Sequence, residues 1–296
     1  MAGFSLLAAV TLSSAFGVAR IEPYGGVVSS WRPAGGEEVF AMAKPYDSCK
    51  KGVQIHGGLP LCWPWFINEG PKGARIHGIT RYLDWKVSES SPNRAVLELD
   101  CTAQSRELWP YAFHAELVYE LGEQSLAVTF SVTNADSRAF RCTEGFHPYF
   151  RVGDTWRCSV DGVDGLHYCR KTEPKFGESR RWQGVFSGSE FAPGGKGGAV
   201  FTGDDLCHRL TDPVLGRTID IRYTGSIKSL IWNSGADFAP FGGSDDPGFG
   251  RRFICVEGGT AYRDRAYLLE PGSRHTLKVE LRCRRLFVNP SENTSR

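Results

Sequence analysis

Apolar and polar residues alternate with a period of two along most of this chain, and that pattern constrains its fold more than any other feature. Residues 94–99 (RAVLEL), 114–121 (HAELVYEL), 126–132 (LAVTFSV), 217–223 (RTIDIRY) and 275–283 (HTLKVELRC) each turn one side to a core and the other to water, as half-buried strands do. Short turn signals separate them: Gly122-Glu123-Gln124, Asn134-Ala135-Asp136 and Pro271-Gly272-Ser273. Helical periodicity is hard to find. The pattern predicts an all-β chain, one large antiparallel β-sandwich spanning residues 1–296 as a single domain, a size such folds reach without dividing. There is no repeat of fixed period, no heptad and no linker. The Gly/Pro-rich stretches 192–198 and 239–250, flanked by strand-like sequence, read as surface loops. Residues 4–16 (FSLLAAVTLSSAF) read as an N-terminal strand, because no Lys or Arg precedes Arg20 and the stretch is too short to span a bilayer; a cleaved signal peptide is the alternative.

Charge and cysteine usage exclude several functions. Lys plus Arg total 35 against 33 Asp plus Glu, so the net charge of +2 lacks the basic footprint of a dedicated nucleic-acid binder. Nine cysteines are spread along the chain with no CxxC pair, which removes the zinc-ribbon and thioredoxin readings and leaves reduced thiols used as small buried hydrophobes. No stretch is apolar for long enough to predict a membrane helix. The expectation is a cytoplasmic monomer with a small-molecule partner. No HExxH, GxSxG or GxGxxG motif occurs, so zincin, α/β-hydrolase and dinucleotide readings lack their signatures.

Four segments set ionisable groups among Gly, Pro and aromatics: 55–66 (IHGGLPLCWPWF), 75–81 (RIHGITR), 144–150 (EGFHPYF) and 253–257 (FICVE), with 203–205 (GDD) a weaker fifth. His147, beside Phe146, Tyr149 and Phe150, suits a general acid or base, because a partly desolvated imidazole can titrate near neutrality. It also fits a hydrogen-bonded core histidine. Glu257 ends an apolar run, where a carboxylate is costly to desolvate unless paired or functional; it equally suits the first solvated position of a strand. Arg81 offers a planar fork for a phosphate or carboxylate, although most arginines simply lie on the surface. The Trp63-Pro64-Trp65-Phe66 cluster can stack on a sugar or pack in a core.

Taken in order, these segments resemble the hexose-6-phosphate mutarotases, or glucose-6-phosphate 1-epimerases, of the galactose mutarotase-like superfamily. The likeness runs through 21–33 (IEPYGGVVSSWRP) and 35–40, and is strongest over 55–66, which is similar to the family's IRGGxPxCWPWF block. It continues through 77–81, similar to HGFAR, then His147-Pro148-Tyr149-Phe150, Trp232-Asn233 and Cys255-Val256-Glu257. The resemblance implies a mutarotase-type sandwich and interconversion of the α and β anomers of a sugar phosphate, without metal or organic cofactor. By the same resemblance His147 is the general acid and Glu257 the general base, and the expectation is that they face each other across a pyranose-sized gap. His77 and Asp204 hold the sugar, and Arg81 binds phosphate. His56, a substrate-contact position, replaces the family's arginine, and Ile76 stands where the family carries a polar residue. Those two departures keep a free aldose, or another sugar phosphate, open as the substrate. A non-catalytic carbohydrate-binding module on the same sandwich is the third reading, and the paired His147 and Glu257 speak against it.

Overall fold

The computed structural model describes residues 7–170, 184–186, 190–191, 196–203, 206–235, 244, 246–260 and 266–286. Nearly all of its regular structure is antiparallel strand. The larger sheet has nine strands in the order Glu190–Phe191, Ser159–Asp161, Cys207–Asp212, Arg217–Thr224, Arg274–Arg285, Ser125–Asn134, Phe113–Gly122, Arg94–Asp100 and Lys86–Ser90. Every segment picked out above by its alternation lies in this sheet. The reason is physical: one side faces the core and the other faces water, as in Phe113–Gly122, where Phe113, Ala115, Leu117 and Tyr119 are buried.

The second sheet runs Gly184–Val185, His167–Arg170, Lys196–Thr202, Lys228–Ser234, Phe253–Gly259, Gly145–Phe146 and Leu61–Cys62, with Tyr149–Arg151 also pairing to Phe253–Gly259. Its central strands are covered on both sides, so they read as continuous apolar runs without alternation; all seven residues of Phe253–Gly259 are buried. On one side Phe201, Ile231, Ile254 and Val256 join Leu117, Phe130, Ile221 and Val279 of the large sheet in a common core. Burying each such aliphatic side chain is worth about 1.5–3 kcal/mol. Two glycines let that central strand pack so closely. A Cβ at Gly258 would stand 2.4 Å from the Tyr223 ring, and one at Gly259 would stand 2.1 Å from the Glu144 carbonyl oxygen. On the other side of its central strand, Phe253 and Cys255 are covered by Ala41, Ala43, Tyr149 and Phe249.

A third sheet joins Val10–Ser14, Gly17–Glu22 and Val27–Pro33, so the second half of segment 4–16 forms the expected strand. Of the two expected loops, residues 192–195, 239–243 and 245 lie outside the described residues, and the end of the first is not a loop. Lys196–Thr202 is a strand, and Gly197 and Gly198 lie opposite Asn233 and Trp232 of the neighbouring strand, whose pairing outweighs the low strand propensity of glycine. Among the described residues one α-helix of six residues, Ala103–Leu108, is started by a capping box in which the Thr102 hydroxyl accepts from Ser105 N–H and the Ser105 hydroxyl from Thr102 N–H. No described helix is long and apolar enough to cross a membrane. The nine cysteines form no disulfide among the described residues, and six are buried.

Candidate active site

Strand alternation builds the site. On Phe253–Gly259, Ile254 and Val256 point into the sandwich core, so Phe253, Cys255 and Glu257 must project from the opposite side of the sheet. There Phe253 and Cys255 meet Ala41, Ala43, Tyr149, Phe249 and Trp232. Glu257 is fully buried in mid-strand, opposite Leu230 of the adjacent strand, and is not the first solvated residue beyond a strand end. The chain then brings His147 over it. Gly145–Phe146 pairs with Gly259-Gly258, Tyr149–Arg151 pairs with Cys255–Phe253, and His147-Pro148 bridges the two stretches. The His147 amide donates to the Pro60 carbonyl, 3.0 Å away, which fixes that bridge.

The outcome is a close pair: His147 Nε2 lies 3.5 Å from Glu257 Oε1, with only 6% of the imidazole and none of the carboxylate exposed. The two stand side by side, too near for a pyranose to fit between them. The imidazole stacks on Tyr149, with centroids 4.8 Å apart and planes at 11°, and meets Trp232 edge-on at 6.2 Å.

His77 completes the cluster, its ring perpendicular to that of His147 with centroids 5.1 Å apart. Its backbone is in the left-handed region, φ +67, an uncommon conformation for a residue with a Cβ. Gly78 follows at φ +78, and a Cβ there would lie 2.0 Å from the Trp63 carbonyl oxygen, so no other residue fits. Two hydrogen bonds to Ile67 lock the turn. The His77 amide donates to the Ile67 carbonyl at 2.8 Å, and the Ile67 amide donates to His77 Nδ1 at 3.2 Å. Since Nδ1 accepts, Nε2 is the nitrogen of the neutral ring that carries hydrogen. Strain of this kind, held by surrounding structure, is common where a side chain must be aimed.

Arg81 and His56 lie on the Tyr149 side of the cluster. Arg81 sits in the short 3₁₀ turn Thr80–Tyr82, is 2% exposed, and donates from Nη2 to the Ile55 carbonyl at 2.7 Å. Its Nε and Nη1 have no hydrogen-bond partner among the described residues. His56 Nδ1 is 3.3 Å from the Tyr149 hydroxyl. Burial and the adjacent Arg81 charge push the His56 imidazole down to about 4, so it is uncharged at neutral pH. Burial also holds the Tyr149 phenol well above its usual range. Arg75 stacks its guanidinium over the Tyr82 ring at 4.8 Å and makes no ion pair among the described residues; Lys51 is engaged with Asp84. The tryptophans of 55–66 serve the core: Trp63 is fully buried, 4.7 Å from Phe113, and Trp65 Nε1 donates to the Arg75 carbonyl.

The structure thus gathers His77, His147 and Glu257 in one place, with His56 and Arg81 beside them. Asp204 lies outside the described residues. One neighbour was not singled out by sequence. Cys255 offers a thiol to the same cluster, and only knowing that 253–259 is a single strand would have shown that it shares a side with Glu257. A separate buried carboxylate, Glu144, accepts from the Tyr267 hydroxyl at 2.8 Å and meets His275 Nε2 at 2.5 Å.

A sandwich of this architecture is galactose mutarotase-like. The sequence profile of the aldose 1-epimerase family matches residues 8–282, and the chain belongs to that family of isomerases. A Salmonella typhimurium protein provisionally named glucose-6-phosphate 1-epimerase is 28% identical over 240 residues, 79% of this chain and 76% of that one. An Escherichia coli protein with the same provisional name is 29% identical over 245 residues, 80% of this chain and 77% of that one. The crystal structure of a Salmonella typhimurium protein provisionally described as a mutarotase superposes with a TM-score of 0.79 at 24% identity, covering 90% of this chain and 87% of that one, a likeness of fold.

Proposed function

We propose that this isomerase interconverts the α and β anomers of a hexose 6-phosphate, with His147 as general acid and Glu257 as general base. The observation that carries the reading is the 3.5 Å approach of two buried, oppositely chargeable groups, Nε2 and Oε1. The side-by-side placement suits the chemistry, because the anomeric hydroxyl and the ring oxygen are both bonded to C1. Glu257 takes the proton of the C1 hydroxyl while His147 protonates the ring oxygen. The C1–O5 bond breaks and leaves an open-chain aldehyde with a C5 hydroxyl. After rotation about C1–C2, His147 recovers its proton from that hydroxyl as Glu257 returns one to O1, closing the ring as the other anomer. His77, with hydrogen on Nε2, donates to a sugar oxygen. The phosphate is met by Arg81, whose Nε and Nη1 have no hydrogen-bond partner among the described residues.

A second reading has a specific observation in its favour. His56 is uncharged, and Arg81 is 2% exposed with one N–H already given to the Ile55 carbonyl, so the phosphate grip is weaker than the resemblance implies. The substrate on this reading is a free aldose. Anomer exchange measured by NMR on glucose 6-phosphate and on glucose separates the two. In His147→Asn and Glu257→Gln the exchange rate should fall by about 100-fold or more, the usual share of a positioned acid or base. Near-parental rates in both variants would overturn the assignment. A higher kcat/KM on glucose than on its phosphate would transfer the activity to the second reading.

A further inference from the structure

We infer that the catalytic cluster is also a binding site for a thiophilic divalent cation, Zn²⁺ above all, held by His147, Cys255 and Glu257, and that the bound ion inhibits the enzyme. Its effect on catalysis rests on the acid–base assignment above; its existence does not. The alternation that aims Glu257 away from the core aims Cys255 the same way, two residues earlier on the same strand. The register that pairs Tyr149 with Cys255 carries His147 across both. One ligand atom from each residue lies within 4.8 Å of the other two, and all three residues are buried.

The donor set selects the ion. Thiolate sulfur, imidazole nitrogen and carboxylate oxygen together suit a borderline-soft cation and not Mg²⁺ or Ca²⁺, which take oxygen ligands. Zn²⁺ bonds of about 2.0–2.3 Å in a tetrahedron place ligand atoms about 3.4–3.6 Å apart. Nε2 and Oε1 are already at 3.5 Å, so capture needs only the thiol to close in. Three protein ligands leave the fourth position for water or a sugar hydroxyl, the arrangement of an open zinc site.

Binding and catalysis compete for the same atoms. The metal takes the Nε2 lone pair that must carry the acid's proton and the carboxylate that must accept the base's proton. Coordination forms a Zn–S bond and releases the Cys255 thiol proton to solvent. An anomerase with this cluster is therefore silenced by the ion and restored by a chelator.

The experiment uses the full chain, reduced and metal-free. Titration with Co²⁺, which mimics Zn²⁺, should give one equivalent of a near-ultraviolet thiolate-to-cobalt band that Zn²⁺ displaces and Mg²⁺ does not. The band should vanish in Cys255→Ser and in Cys255→Ala, each checked for fold by circular dichroism. It should persist in Cys207→Ser, which removes the exposed thiol. Zn²⁺ should slow anomer exchange. The concentration needed for half inhibition, taken against each variant's own metal-free rate, should rise at least about 10–100-fold in Cys255→Ser, the loss already seen when only a supporting partner is removed from a metal site. Absence of the band, or its survival in both folded Cys255 variants, overturns the site. A Cys255-dependent band in a protein that turns over no sugar keeps the site and defeats the acid–base reading instead.

Discussion

Replacing His208 with asparagine should flatten the acid limb of the stability profile. His208 lies on Cys207–Asp212 opposite Ile221, is 2% exposed, and donates from Nδ1 to the Asp161 carbonyl at 3.2 Å. Burial pushes the imidazole from 6.5 down to about 4, against the upward pull of the carbonyls of Asp161 and Gly162. Between those two pH values the unfolded chain holds a proton that the folded chain refuses, so stability falls as pH drops through that window. A difference from 6.5 to about 4, at 1.36 kcal/mol per pH unit, amounts to about 3 kcal/mol. His56, lowered to about 4 by burial and Arg81, adds about as much again, which is a large part of a typical total of 5–15 kcal/mol. His275 works on the other side. Burial lowers it, but its hydrogen bond to Glu144 and the Glu144 charge outweigh that and raise it, so its contribution is fully present below 6.5 and fades only as pH rises through the folded value. It is constant across the acid window. Urea unfolding followed by fluorescence of the eight tryptophans, at steps from pH 7 to pH 4, gives the profile. His208→Asn should start less stable at pH 7, because of its smaller volume, and close on the parent by about 3 kcal/mol at pH 4. A difference between the two proteins that does not change with pH would refute the reasoning.

Two further outcomes follow from the geometry. Gly78→Ala places a Cβ 2.0 Å from the Trp63 carbonyl at φ +78, so it should cost at least about 1–3 kcal/mol in thermal unfolding and displace His77 enough to depress anomer exchange. Glu144→Gln breaks the buried contact with His275 and should destabilise by about 3–5 kcal/mol at pH 6. Its penalty should shrink as the pH rises through the raised folded value of His275, where the parent loses the same charge pair; melting temperatures measured at steps upward from pH 6 give the comparison.

The large sheet is written openly in the sequence because its strands have one wet side. RAVLEL and HTLKVELRC alternate for that reason, and their boundaries lie within two residues of the strands formed. The second sheet is dry on both sides, so FICVEGG carries no periodic signal, and its two glycines read as a stop when they are close contacts. That ambiguity left a solvated strand end open for Glu257, which is fully buried in mid-strand. His77 and Arg81 are four apart, yet what aims His77 is a left-handed backbone and a bond to Ile67, features that no spacing encodes. Glu144, Tyr267 and His275 are joined across more than a hundred residues of chain, and only strand pairing brings them together. The nearness of His147 and Glu257 could be anticipated only through resemblance, because each motif is local while strand pairing joins the two.

The central strand of the second sheet works like a reading frame of two. Even-numbered residues face the sandwich core and odd-numbered ones the opposite side, so one added or missing residue between Ile254 and Glu257 would drive a carboxylate into the hydrophobic interior while turning valine to the other side. Residues that surround Glu257 can therefore vary more freely than its register on the strand. Because that strand is hydrogen-bonded on both edges, the amides beside Glu257 should be among the last to exchange with deuterium, and heat should take away activity and fold in a single step.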